Sequence, residues 1–276
     1  MKHTSNIVDH YTSGALWDRL REALLDDQVD PECPTIEALA PYDQFHGRGL
    51  EATQSIAQQL TVAASDHLLD VGSGIGGPAR YFAQRFGCRI TGIDLTAEFC
   101  DVARRLNALT GLHDHVTIER GDALSMPFAT ESFDGAYSMN VAMNIEDKAA
   151  LYREIHRVLR PGAWLLLSEI AQGPKPGLEY PTPWARTAAS SFLATPEQTQ
   201  EGLEIAGFGV TRLQNTLAEG REFGARSRAI VDRGGKPPHR AVALIHGDTA
   251  PAATANSAQG MRENQVVPIE VYCVRN

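Results

Sequence analysis

The chain has 276 residues, of which 43% are hydrophobic and 21% charged, and it carries a formal net charge of -9. That length suits one large α/β domain with appendages or two small domains, and the composition is that of an ordinary soluble globular protein. An acidic surface disfavours nucleic acid and anionic membrane as partners, because both repel it.

No apolar run approaches membrane-spanning length, and the first six residues lack the apolar core of a signal peptide. The four cysteines (Cys33, Cys88, Cys100 and Cys273) show no C-x-x-C spacing. The expectation is a reduced, cytoplasmic protein without a structural metal.

Residues 1 to about 30 read as helical, with Leu16, Leu20, Ala23 and Leu24 at helical spacing and Trp17 beside them. The helix either packs on the main domain or forms a lid, to which Tyr11 or Trp17 would contribute. A Pro-containing loop follows at Pro31. Residues 42–51 then bring Tyr42, Asp43, Gln44, His46 and two glycines together, ahead of a helix at about 50–60. This stretch is either a surface loop with a glycine turn or part of a site.

The most informative stretch is 67–78: a short apolar run, Asp70, then Gly72, Ser73, Gly74, Gly76 and Gly77, then Pro78 at a helix start. Glycines here permit a tight turn and let backbone amides approach a ligand. Gly72, Gly74 and Gly77 also satisfy the dinucleotide pattern G-x-G-x-x-G, with Asp94 about twenty residues on. Asp70 argues against a pyrophosphate and for a cationic cofactor. From 66 to 170 strand and helix patterns alternate, which implies a parallel sheet with crossover helices. The strands are placed at 68–71, 89–93, 116–120, 135–139 and 164–170, with further strands at 210–213 and 266–274. Thr96 and Thr195 read as helix N-caps, the latter with Pro196 and a capping-box Gln198.

The run from Asp70 to Gly76 resembles motif I of class I S-adenosylmethionine (SAM) dependent methyltransferases. The segment around 138–148 and the glycine-rich segment at 42–51 are similar to those of sarcosine/dimethylglycine and tocopherol methyltransferases. The resemblance spans about residues 42–215 and implies a Rossmann-like α/β fold. Its sheet would have seven mostly parallel strands, the last antiparallel, with helices on both faces. An N-terminal helical lid (1–62) would precede the SAM-binding domain (63–276), with an acceptor-pocket insertion at about 171–194. By resemblance, Asp70, Gly72, Ser73, Gly74 and Gly76 form the cofactor turn. Asp94 and Leu95 meet the ribose, and Asp122 and Ala123 hold adenine. Asn140 lies near the methionine end, and Gln44 comes from the closing segment.

For the acceptor, the candidates are Asn140, Asn144, His46 and Tyr180, with Tyr42 and Trp184 nearby. Asn144 stands where tocopherol methyltransferases commonly carry a histidine, and an asparagine cannot act as a base near neutral pH. His46 is then the first candidate for a base. Both asparagines could instead cap the following helix. Arg226, Arg228, Arg233 and Arg240 read as a solvated face. The implied activity is methyl transfer from SAM to an N, C or O atom of a small molecule, by a monomer or homodimer. Two alternatives stay open. One is a SAM-consuming cyclase of azetidine-2-carboxylate synthase type, releasing methylthioadenosine. The other is a non-catalytic SAM-binding sensor or partner subunit.

Overall fold

Seven strands organise the chain: β1 (His67–Val71), β2 (Arg89–Asp94), β3 (Val116–Arg120), β4 (Phe133–Met139), β5 (Leu159–Gln172), β6 (Phe208–Asn215) and β7 (Val266–Arg275). In the computed structural model they form one sheet in the order β3-β2-β1-β4-β5-β7-β6. β1 pairs in parallel with β2 and β4, whereas β7 runs antiparallel between β5 and β6. Residues 10–12 and 14–276 are described; the part of the expected N-terminal helix on 1–9 and 13 lies outside them.

Alternation along the strands builds two cores. In β1, Leu68 enters a cluster with Ile90, Phe82 and Tyr137, while Leu69 and Val71 enter another with Ile93, Leu151 and Leu165. Burial on both faces explains the near-continuous apolar strands. Helices α1 (Leu16–Asp26), α2 (Ile36–Asp43), α3 (Leu50–Ala57), α4 (Gly77–Phe86) and α5 (Ala97–Leu109) follow in order, interrupted by β1 and β2. Then come α6 (Lys148–Val158), α7 (Pro196–Ile205), α8 (Leu217–Asp232), α9 (Ala241–His246) and α10 (Ala250–Arg262). Leu16, Leu20 and Leu24 of α1 join the first core. The capping box at Thr195 forms as expected. Thr96 does not cap α5 with its side chain; its backbone N–H donates to Asp94 instead.

The sequence reading takes 31–41 as loop, yet Ile36–Asp43 is helical despite Pro41 inside it. Thr35 caps this helix through Ala38 N–H, and Leu39, Tyr42 and Asp43 are buried. Tertiary packing here outweighs the lost amide donor.

The end of α2 is locked to α4 by a fully buried ion pair. Arg80 is 0% exposed and Asp43 1%. Arg80 Nη2 donates to Asp43 Oδ2 at 2.9 Å, and its Nη1 donates to Asn107 Oδ1 at 2.9 Å. Asn107 Nδ2 in turn donates to the Val116 carbonyl. Gln44 Nε2 donates to the other Asp43 oxygen, and the Thr53 hydroxyl donates to Gln44 Oε1. Removing one partner of such a pair strands a buried charge. Asp43→Ala is therefore expected to cost about 3–5 kcal/mol in urea denaturation, and the double variant Asp43→Leu/Arg80→Met clearly less. Equal losses would mean that the pair is not coupled.

Candidate active site

The C-terminal edge of the parallel strands opens into a cavity of about 370 Å³. Open α/β sheets place ligands on this edge. Gly72 and Gly74 form its floor after β1, and Asp94, Leu95 and Thr96 follow β2. Gly121, Asp122 and Ala123 follow β3, and Asn140, Val141 and Asn144 follow β4. Tyr11, Phe45 and Phe99 close it with an aromatic layer, their centroids 5.8 Å (Tyr11–Phe99) and 5.2 Å (Phe45–Phe99) apart.

The turn needs glycine for two reasons. Gly72 and Gly74 have φ of +74° and +53°, a region costly for other residues. A Cβ at Gly72 would also stand 2.3 Å from Val141 Cγ2, and one at Gly74 2.8 Å from Phe45 Cδ2. Gly77 is required by close packing. Its Cβ would stand 2.2 Å from the Asp43 carbonyl, so α2 covers the first turn of α4.

Asp94 is held by two backbone donors, Gly74 N–H to Oδ2 and Thr96 N–H to Oδ1, each at 2.8 Å. Burial outweighs them and pushes its carboxyl up to about 6. Asp70 lies beneath the turn and does not line the cavity. Burial, reinforced by Asp94, pushes it up to about 8. The Tyr137 hydroxyl is beside it, yet Asp70 Oδ2 and Tyr137 Oη are each left without hydrogen-bond geometry. With Asp70 buried below the turn and away from the cavity, the case against a pyrophosphate rests on the acids that line the cavity. Asp122 Oδ1 accepts from Leu124 N–H at 2.9 Å, which shapes its turn.

Asn140 sits at the mouth of β4 with φ +60°, its N–H donating to the Ser168 carbonyl at 2.7 Å. Asparagine tolerates that conformation better than most residues. Asn144 is buried, and its amide donates to the Tyr11 hydroxyl at 3.2 Å. It closes the cavity against the N-terminal segment and does not cap α6; Asp147 does that through Ala150 N–H.

Several expected contacts lie elsewhere. Gln44 and His46 are buried on the far side of the extended segment that carries Phe45, and neither lines the cavity. Side chains alternate in an extended chain, so one of 44/46 or 45 can face the ligand, not both. His46 Nδ1 donates to the Gly47 carbonyl, and burial drives the imidazole down to about 3. It cannot serve as the base. Tyr42 is spent on α1: its hydroxyl donates to Asp27 and receives from Arg240. Arg240, expected on a solvated face, is half-buried there. Ser73 and Gly76 support the turn from below without lining the cavity: Gly76 N–H donates to the Ser73 carbonyl. Tyr180 and Trp184 pack into a satellite apolar cluster with Met143 and Ile170, and Trp184 Nε1 donates to Ser191. Trp17 lies under Arg105, whose guanidinium carbon is 3.7 Å from the ring centroid.

Phe45 and Glu169 are the residues that the sequence reading misses. Glu169, at the end of β5, is buried and accepts from Val141 and Ala142 N–H at 3.1–3.2 Å. Burial raises it to about 7 against those donors. It fixes the backbone from which Asn140 and Asn144 project. Its signal is an acid at the end of an otherwise apolar strand. Among the described residues no group of three or more His, Cys, Asp or Glu is placed to hold a metal, and no helix is long and apolar enough to cross a membrane.

A family model described as a methyltransferase domain matches residues 69–167. Over these residues the chain is similar to methyltransferase domains. Methyltransferase GfsG of Streptomyces halstedii is 31% identical over 168 residues, 59% of this chain and 57% of that protein. Phosphoethanolamine N-methyltransferase 1 of Arabidopsis thaliana is 35% identical over 133 residues, 48% of this chain and 27% of that protein. The chain thus spans less than two thirds of either relative's length. A solved geranyl diphosphate C-methyltransferase from Streptomyces coelicolor A3(2) superposes with a TM-score of 0.69 over 100% of this chain and 99% of that one. At 16% identity, what it shares with the methyltransferase domain is the fold.

The left-handed backbone at Asn140 gives a test. Asn140→Ala should cost about 1 kcal/mol in chemical denaturation while Asn140→Gly costs little. Equal costs would assign the loss to the missing amide and not to the backbone.

Proposed function

We propose that this protein transfers the methyl group of SAM to a small-molecule acceptor. The observation that carries the reading is the convergence of Asp94, Asp122–Ala123 and Asn140, from three strand ends, on one cavity over the Gly72–Gly74 turn. The donor set fits the cofactor. A carboxylate at Asp94 accepts from paired ribose hydroxyls, Asp122 accepts from an exocyclic amine, and the Ala123 backbone meets the ring. Asn140 and the turn face the methionine end. SAM, when bound, supplies a methyl already activated by a positive sulfur.

What remains for the chain is alignment and exclusion of water. Tyr11, Phe45 and Phe99 cover the cavity, and the described part of the N-terminal segment lids it through Tyr11 and Phe45. The Tyr11 phenol, pushed up by burial, stays protonated and can only orient. Asn144 holds Tyr11 and cannot take a proton. Neither of these two groups is a base, so an acceptor atom beside them attacks as it enters, as an amine, an activated carbon or an acidic hydroxyl can. The enzyme works on a small molecule.

Mass spectrometry of the full chain with SAM alone and with an acceptor panel checks this. The expected outcome is unchanged SAM alone and S-adenosylhomocysteine with an acceptor. Methylthioadenosine from SAM alone would replace methyl transfer with the cyclase reading. Tight binding without turnover on any acceptor would favour a sensor.

Affinity should also follow pH. Below about 6 the Asp94 carboxyl is protonated and loses its acceptor role. Calorimetry should find S-adenosylhomocysteine binding full above pH ~7 and weaker by about 1.5–3 kcal/mol well below the Asp94 value. Asp94→Asn should bind weakly with most of that dependence gone. Glu169 titrates nearby, so a variant that keeps the full slope would move the effect to Glu169.

A further inference from the structure

We infer that the acceptor is an uncharged molecule with an apolar body, and that the site rejects phosphorylated acceptors. This rests on the methyl-transfer reading above and narrows it. The wall over the cofactor turn is Tyr11, Phe45, Phe99, Met139, Val141 and Ile145. The ionisable side chains in the described lining, Tyr11 apart, are the acids Asp94, Asp122, Glu146 and Asp147. With Asp94 and Asp122 turned to the cofactor, a phosphate on the acceptor meets the carboxylates of Glu146 and Asp147, and like-charge juxtaposition is unfavourable.

The lysine beside the cavity is committed elsewhere, and the two histidines near Tyr11 are neutral. Lys148 follows the lining residue Asp147 directly. Its ammonium has three donors. They go to the carbonyls of Ala142 (2.9 Å), Ile145 (2.8 Å) and Phe192. Binding a phosphate would cost the contacts that hold the turn after β4 to the segment after β5. His10 and His246 flank Tyr11, with ring centroids 4.6 and 6.1 Å from its own. Both donate to one acceptor, the Pro183 carbonyl, at 3.4 and 2.9 Å. Burial lowers both, His246 to about 4, so they stay neutral at physiological pH. Arg19 and Arg186 are close enough to contribute to that lowering at His246, and neither lines the cavity. The polar uncharged groups available to an acceptor are the Tyr11 hydroxyl and the amides of Asn140 and Asn144. They suit a hydroxyl or carbonyl, not a phosphate.

This sets the protein apart from two proteins similar to it, whose names specify phosphoethanolamine and geranyl diphosphate as substrates. The test uses the full chain loaded with S-adenosylhomocysteine and titrated with geraniol, geranyl diphosphate and phosphoethanolamine by calorimetry. Geraniol and geranyl diphosphate share one apolar body and differ in charge. Geraniol is expected to bind at least about tenfold tighter than geranyl diphosphate, a difference that one unfavourable charge contact readily supplies. Ile145→Lys, which puts a cation into the lining at a half-exposed position, should narrow or reverse that ratio. Equal or tighter binding of geranyl diphosphate or phosphoethanolamine to the unaltered protein overturns the inference. So does failure of all three to bind at millimolar concentration. Failure of S-adenosylhomocysteine itself to bind would instead bring down the methyl-transfer reading, and this inference with it.

Discussion

A buried ion pair between Asp43 and Arg80 carries more of this structure than its size suggests. Arg80 belongs to the helix that the glycine turn launches, and Asp43 ends the helix that covers it. In a low-dielectric interior, neither charge is tolerable without the other. The pair therefore fixes the distance between the covering helix and the turn. Gln44 and Thr53 extend the network on one side, and Asn107 extends it to the edge strand on the other. With Gln44 and His46 held in the interior, Phe45 is left facing the cavity over Gly74. A stability device thus sets the position of a site residue.

The opposite wall is set by a second buried acid. Glu169 accepts the amides of Val141 and Ala142, and Lys148 draws together the carbonyls of Ala142, Ile145 and Phe192. Between them they hold the short turn after β4 whose Asn140 and Asn144 face the cavity. The strand that supplies Glu169 pairs with both β4 and β7, so the site rests on the sheet and not on loop stiffness. Charge is then distributed by depth. Acids held by backbone donors face the cavity, whereas Lys148 is spent on carbonyls and Arg80 on a carboxylate outside it.

The comparison between chain and fold is instructive residue by residue. The strands from β1 to β5, the capping box at Thr195 and the glycine turn are legible because each depends on near neighbours: apolar periodicity, turn glycines, a cap three residues before its partner. Asp94, Asp122 and Asn140 are legible for the same reason, since strand ends in this topology converge on one edge. The helix at Ile36–Asp43 is not legible, because Pro41 argues against it and only burial of Leu39, Tyr42 and Asp43 overrides that.

The aromatic and basic assignments divide along the same line. Tyr42, Gln44, His46, Tyr180 and Trp184 have the right chemistry for a site, and nothing local says which way they point. Tertiary packing turned all five away from the cavity and brought forward Phe45 and Tyr11. By itself, the sequence determined the sheet, the glycine turn and the acids at the strand ends, since period and spacing are local properties of the chain. Only the tertiary structure decided which side chains line the cavity and which cations are already taken. Those outcomes depend on contacts between segments as distant as Tyr11 and Asn144, or Lys148 and Phe192.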